Sequence, residues 1–94
     1  MKTLHLNLQK KWFDMILAGE KAEEYRDITE YWIKRLQKDF DTITFSNGYA
    51  KNRPQFEIEF KNIDIDYGIH KWGAVSYKKY FVLRLGSILN KQNC

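Results

Sequence analysis

The segment YFVLRLGSIL, residues 80–89, is apolar on both faces except at Arg84. A strand of that kind belongs in the middle of a sheet, with material packed over both sides. Shorter segments supply its neighbours. Leu4, Leu6 and Leu8 alternate with His5 and Asn7, which predicts a first strand with one buried face. In DTITFSNG, Ile43 and Phe45 alternate with threonines before a turn of Ser46, Asn47 and Gly48. Phe56, Ile58 and Phe60 share one face of the next strand, with Glu57 and Glu59 on the other. The parity then changes, since Ile63, Ile65 and Tyr67 are odd-numbered. A bulge near Lys61 and Asn62 would keep the apolar face inward and bend the strand toward barrel closure.

Two segments change period. Over residues 9–18, Trp12, Met15 and Ile16, flanked by Phe13 and Leu17, form a helical apolar stripe, and Gly19 is placed to end it in a left-handed conformation. Asp27 is expected to cap a second helix, with Glu30 three residues on completing a capping box and Ile28, Trp32 and Leu36 at four-residue spacing. The expectation is an α+β fold: a small β-barrel of about five to six strands with two helices, in a single domain covering residues 1–94.

Composition narrows the function classes. With 44% hydrophobic and 16% aromatic residues, the chain is no disordered polyelectrolyte. The N-terminus MKTLHLNLQKK lacks the apolar core of a signal peptide and no later run reaches membrane-spanning length, so a cytoplasmic location and no membrane partner are expected. The single cysteine, Cys94, offers neither a disulfide partner nor a buried nucleophile.

The net charge of +4 conceals a segregation. From Asp14 to Glu30 there are six acids against two bases, whereas from Tyr67 onward there are five bases and no acid. That basic third is interleaved with Trp72, Tyr77, Tyr80 and Phe81, a composition suited to phosphates and bases. Solubilising lysines beside core aromatics would read the same.

Within the acidic part, AGEKAEEYRD, residues 18–27, is the densest run of charge. In an extended chain Glu24 and Arg26 share a face and Lys21 takes the other, unless the backbone turns after Gly19. A solvated edge strand is one reading. A buried Arg26 paired to Glu24 is the other, and it accounts for charge on a strand that follows a buried helix.

Gly19, Lys21, Glu24 and Arg26 of GEKAEEYR resemble the GxKxxExR signature of the ASCH domain family, a branch of the PUA-like β-barrels. The preceding WFDMILAG, the segment TFSNGYAKNRP and the closing YFVLRLGSIL, with Trp72 and Gly73 upstream, are similar to that family's order of elements. The resemblance covers most of residues 4–89. It implies a cleft into which Lys21, Glu24 and Arg26 project, with RNA or a modified nucleotide as ligand. In those terms Lys21 would hold a phosphate or an oxyanion, Glu24 would accept a proton or a base amino group, and Arg26 would orient Glu24 bidentately. Tyr49 and Arg53, on the loop of residues 47–54, would add stacking and phosphate contact, or else pack on the barrel and face solvent.

One branch of the family hydrolyses the acyl amide of an acylated cytidine with a Lys, Thr and Glu set. Lys21 matches its Lys, but Glu24 stands where its Thr belongs, and residues 67–80 hold no carboxylate to match its Glu. A ribonuclease would need only a base and a cationic stabiliser, roles open to Glu24 and Lys21. A hydrolase acting on RNA or an acylated nucleoside is therefore the second expectation, with Lys21 and Glu24 as its catalytic residues. A protein-interaction module using Trp12, Trp32 or Trp72 as exposed anchors is the third. No metal site is indicated, because His5 and His70 stand apart from each other and from Cys94. Nor is any cofactor, since the five glycines fall singly at turns and element ends. Glu57, Glu59, Asp64 and Asp66 are expected to face solvent.

Overall fold

The computed structural model describes residues 2–94. Five strands and two α-helices alternate before a final hairpin: β1 (Thr3–Asn7), α1 (Lys10–Leu17), β2 (Glu23–Arg26), α2 (Glu30–Arg35), β3 (Thr42–Ser46), β4 (Gln55–Tyr67) and β5 (Lys79–Gln92). A single 3-10 turn, His70–Trp72, lies between the last two strands. The strand order is β1-β3-β4-β5-β2, in one sheet curled into half a barrel. Among the described residues only the β1–β3 pair is parallel; the other pairings are antiparallel. Strands β1 and β2 are thus the two edges.

The apolar periods place the core. Leu4, Leu6 and Leu8 of the first segment, Phe13 and Ile16 of α1, Ile43 and Phe45 of β3, Phe56 and Ile58 of β4, and Leu83 and Leu85 of β5 pack into one cluster. Burying each such side chain contributes about 1.5–3 kcal/mol. Phe56 is central, with its ring 4.9 Å from Phe13 and 5.7 Å from Phe45. The position of β5 between β4 and β2 fits its two apolar faces. Leu83 and Val82 are both wholly buried, though they point to opposite sides. Leu83 joins the main cluster; Val82 lies on the outer face with Tyr80, whose ring packs 5.7 Å from that of Tyr25 and whose hydroxyl accepts from the Val75 N–H.

The parity change in β4 is a bulge at the expected place. Phe60 pairs with Leu85 and Asn62 with Arg84, so Lys61 is the extra residue on β4. Ile63 then packs against the core, as expected, but Ile65 and Tyr67 are 58% and 56% exposed. The reason is length. Strand β3 accompanies β4 only as far as Glu59, and the end of the hairpin runs on past that layer. Asp64 and Asp66 are exposed, as expected, and flank Arg84 from the same strand pair.

The second helix is capped by Thr29, not Asp27. Thr29 is extended and its hydroxyl accepts from the Trp32 N–H at 3.4 Å. Asp27 is engaged elsewhere, its carboxylate 2.9 Å from Nζ of Lys78, the residue before β5.

Candidate functional site

A turn, not a strand, presents Lys21. Gly19 adopts φ +80°, the left-handed end expected for α1. The backbone N–H groups of Glu20 and Lys21 then both donate to the Met15 carbonyl, at 2.9 and 3.2 Å. This fold-back lets Lys21 reach the face that strict alternation would deny it. Strand β2 follows, with Glu24 opposite Leu83 and Arg26 opposite Phe81. Directly paired residues share a face, so both charged groups point to the core side of the sheet.

The three side chains converge. Lys21 Nζ donates to Glu24 Oε1 at 2.6 Å and to the Glu23 carbonyl at 2.7 Å, between the rings of Trp12 and Tyr25, whose centroids lie 5.5 and 5.4 Å away. Arg26 donates through one terminal nitrogen to Glu24 Oε2 at 2.7 Å and, at 3.3 Å, to the Asn7 carbonyl. The contact with Glu24 is therefore single rather than bidentate. Its consequence is topological: β2 and β1 are opposite edges of the sheet, and Arg26 joins them across the open side of the half-barrel. The guanidinium also lies 5.0 Å over the Trp32 ring, and its Nε is buried with no hydrogen-bond partner among the described residues.

The site is dry. The Lys21 side chain is fully buried and that of Glu24 is 8% exposed. Burial pushes the Lys21 ammonium down from its ordinary pKa, and the adjacent Glu24 charge opposes that shift. On the outer face of β2, Tyr25 donates to Glu23 Oε1 at 2.8 Å and accepts from the Ile69 N–H at 2.9 Å. Burial raises its phenol above the ordinary value. Gly68 allows this arrangement, because a Cβ there would sit 2.5 Å from Ala74 Cβ and 2.8 Å from Tyr25 Cζ.

The signature side chains thus meet, but they stand behind the cleft rather than in it. An open cleft of about 500 Å3 is lined by His5, Leu6, Asn7, Arg35, Ser46, Gly48, Tyr49 and Arg53. Tyr49 and Arg53, on the loop after β3, both line it. Lys21 and Glu24 do not reach it; Asn7, whose carbonyl receives Arg26, is the shared wall. Lys21 borders a smaller, mainly apolar recess of about 310 Å3 beside α1 and β5.

The cleft has a fixed frame. The loop after β3 is tied down by side-chain amides: Asn7 Nδ2 donates to the Gly48 carbonyl at 2.7 Å, Asn47 Nδ2 to the Leu8 carbonyl at 3.0 Å and Asn93 Nδ2 to the Arg53 carbonyl at 3.2 Å. Tyr49 is 87% exposed on that loop. Arg35, at the end of α2, donates to the His5 carbonyl at 2.5 Å and to the Tyr31 hydroxyl at 3.1 Å, and lies 5.4 Å over the same Trp32 ring as Arg26. Sequence reading missed Arg35, His5, Asn7 and Ser46. Ser46 opposite Asn7 follows from the parallel β1–β3 pairing, which no local pattern announces. Trp12, Trp32 and Trp72 are all half-buried, so none stands out as an exposed anchor.

No family model matches this chain, and no solved structure matches it. Two curated relatives do, both named UDP-N-acetylmuramate–L-alanine ligase. That of Borreliella burgdorferi is 36% identical over 56 residues, which is 60% of this chain and 12% of the relative. That of Borrelia garinii subsp. bavariensis is 31% identical over 80 residues, 83% of this chain and 17% of the relative. The chain therefore spans less than a fifth of the length of these relatives.

Proposed function

We propose that this chain is a PUA-like domain of the ASCH type that binds RNA or a modified nucleotide in the cleft between β1, α2 and the loop after β3. The observation that carries the reading is the composition of that cleft. Two guanidiniums, a histidine, an asparagine, a serine and an exposed tyrosine line it, and no carboxylate does. A cavity of about 500 Å3 is in the size range of small-ligand sites. Tyr49 offers a stacking face, Asn7 and Ser46 offer hydrogen-bonding groups for a base edge or ribose, and the arginines supply positive potential. The buried Lys21–Glu24–Arg26 set holds the cleft wall in place through Asn7 and is a positioning element in this reading. The fold supports it too: a curled five-strand sheet with a helix inserted after the first strand is the expected arrangement. The curated relatives are named for a substrate carrying uridine diphosphate. A nucleotide-bearing ligand is in keeping with that name.

The test is titration of single-stranded RNA, and of pyrimidine nucleosides and nucleotides, at two ionic strengths. RNA affinity should fall steeply with salt, because each phosphate contact releases counterion. Tyr49→Ala should weaken binding about tenfold, in line with the loss of one base-stacking contact of roughly 1–3 kcal/mol. Absence of binding to RNA, nucleosides and nucleotides alike would overturn the reading.

A further inference from the structure

The chain has four arginines, and their partners divide them into two pairs. Arg26 is bonded to Glu24, and Arg84 is flanked by Glu23, Asp64 and Asp66. Arg35 and Arg53 have no carboxylate within salt-bridge distance among the described residues, and these are the two that line the cleft. Each is held by neutral acceptors alone: Arg35 by the His5 carbonyl and the Tyr31 hydroxyl, Arg53 by the Ala50 carbonyl at 3.2 Å. A guanidinium carries five N–H donors in a planar fork suited to phosphate oxygens, so both retain donors and an unneutralised charge.

The backbone adds to this. The Leu8 N–H donates to Ser46 on the neighbouring strand. Alternation along β1 therefore turns the backbone of Asn7 and His5 to the open edge, where their carbonyls receive Arg26 and Arg35. Their N–H groups face the same edge, beside the cleft.

Building on the nucleotide reading above, we infer that Arg35 and Arg53 form a phosphate site, and that the cleft takes a single nucleotide unit by its phosphate monoester rather than a bare nucleoside or base. The phosphate lies between helix α2 and the loop after β3, and the base lies toward Tyr49. The shared chemistry is a terminal phosphate, from a free mononucleotide or from the phosphorylated end of an RNA chain.

Calorimetric titration of uridine, uridine 5′-monophosphate and inorganic phosphate, with 5′-phosphorylated and 5′-hydroxyl oligouridylates of equal length, tests this. The monophosphate should bind at least tenfold more tightly than uridine, and Arg53→Gln and Arg35→Gln should each remove that advantage. Lys51→Gln, an exposed charge on the same loop, should leave it intact. A preference for the 5′-phosphorylated oligouridylate over both the 5′-hydroxyl form and the mononucleotide would identify an RNA end as the source. The opposite ranking would identify the free nucleotide. Arg53 stands on the loop after β3, where its side chain donates to the Ala50 carbonyl, so its variant tests the site even if Arg35→Gln loosens α2, which circular dichroism would reveal. Equal affinity for uridine and its monophosphate would overturn the phosphate site while leaving the nucleotide reading standing. So would a phosphate preference that survives Arg53→Gln. No binding of any of these ligands would overturn both.

Discussion

Lys21 Nζ lies 2.6 Å from Glu24 Oε1, and the lysine side chain is wholly removed from solvent. A buried pair of this kind is costly to break from one side, because the surviving charge is left without a counter-charge. Glu24→Gln should therefore destabilise the fold by about 3–5 kcal/mol in urea unfolding. Lys21→Met should cost less, about 1–3 kcal/mol, since Arg26 still neutralises Glu24 and only hydrogen bonds are lost. Changes below about 0.5 kcal/mol for both would mean that the pair is solvated rather than sealed.

Arg26 is placed to act at a distance from its own strand. By joining Glu24 to the Asn7 carbonyl it ties β2 to β1, the far edge of the sheet. Arg26→Ala should cost on the order of 3 kcal/mol. It should also raise amide exchange at the end of β1 and in the loop after β3, which Asn7 holds through Gly48. Arg84→Ala removes an arginine paired with carboxylates of β2 and β4 on the outer face and should leave those amides protected. Unchanged exchange at Asn7 and Gly48 in Arg26→Ala would show that the edge-to-edge contact carries no load.

Much of this was legible in the sequence for a physical reason: alternation and helical spacing report which face of an element is buried. The periods of Leu4/Leu6, Phe13/Ile16 and Ile43/Phe45 found the core, and the parity change after Phe60 located the bulge. The meeting of Lys21 with Glu24 was not legible from spacing, because it depends on two N–H groups folding back onto Met15. The cap of α2 was misread because Asp27 and Thr29 are both good caps locally, and only the distant Lys78 decides between them. Arg35 was missed for a related reason. It reaches the cleft by lying against β1, which is thirty residues earlier in the chain.

Alkaline titration should show two linkages of opposite sign. Burial raises the Tyr25 phenol, so its stabilising contribution is complete below the ordinary phenol range near pH 10 and is lost as pH rises beyond it. Absorbance of phenolate should reveal one tyrosine that resists ionisation until the fold opens, and Tyr25→Phe should remove that component. Lys21 runs the other way. Its lowered pKa means that the unfolded chain binds more protons, so its contribution grows as pH rises toward the ordinary lysine value of about 10.4. The stability gap between wild type and Lys21→Met should widen in favour of wild type over that range; a constant gap would contradict it.

Gly68 tests the outer face. Its missing Cβ is what allows Ala74 and the Tyr25 ring to approach together. Gly68→Ala should cost about 1–3 kcal/mol through overpacking. It should also disturb the Ile69 N–H bond to the Tyr25 hydroxyl, a bond that favours the phenolate, and so delay alkaline ionisation of Tyr25 for as long as the fold holds. Nucleotide binding should survive at temperatures where the variant is folded, because the cleft lies on the other side of β2, toward β1. Loss of binding in the folded variant would place the ligand against the loop of residues 68–78 instead.

Hydrolysis of an acylated cytidine needs an activated hydroxyl or water and a donor for the oxyanion. Here Lys21 is buried and bonded to Glu24 and to the Glu23 carbonyl, and both Glu24 oxygens are engaged by cations. The hydroxyls are also misplaced: Thr29 caps α2, and Ser46 lines the cleft on the far side of Asn7 from Glu24. The protein should therefore release no acetate from acetylated cytidine above the level of an Lys21→Met control, as followed by chromatographic separation of acetylated from free cytidine. Turnover by wild type that Glu24→Gln abolishes, with both proteins folded, would show that Glu24 activates water. It would move Lys21 and Glu24 from positioning the cleft wall to performing chemistry.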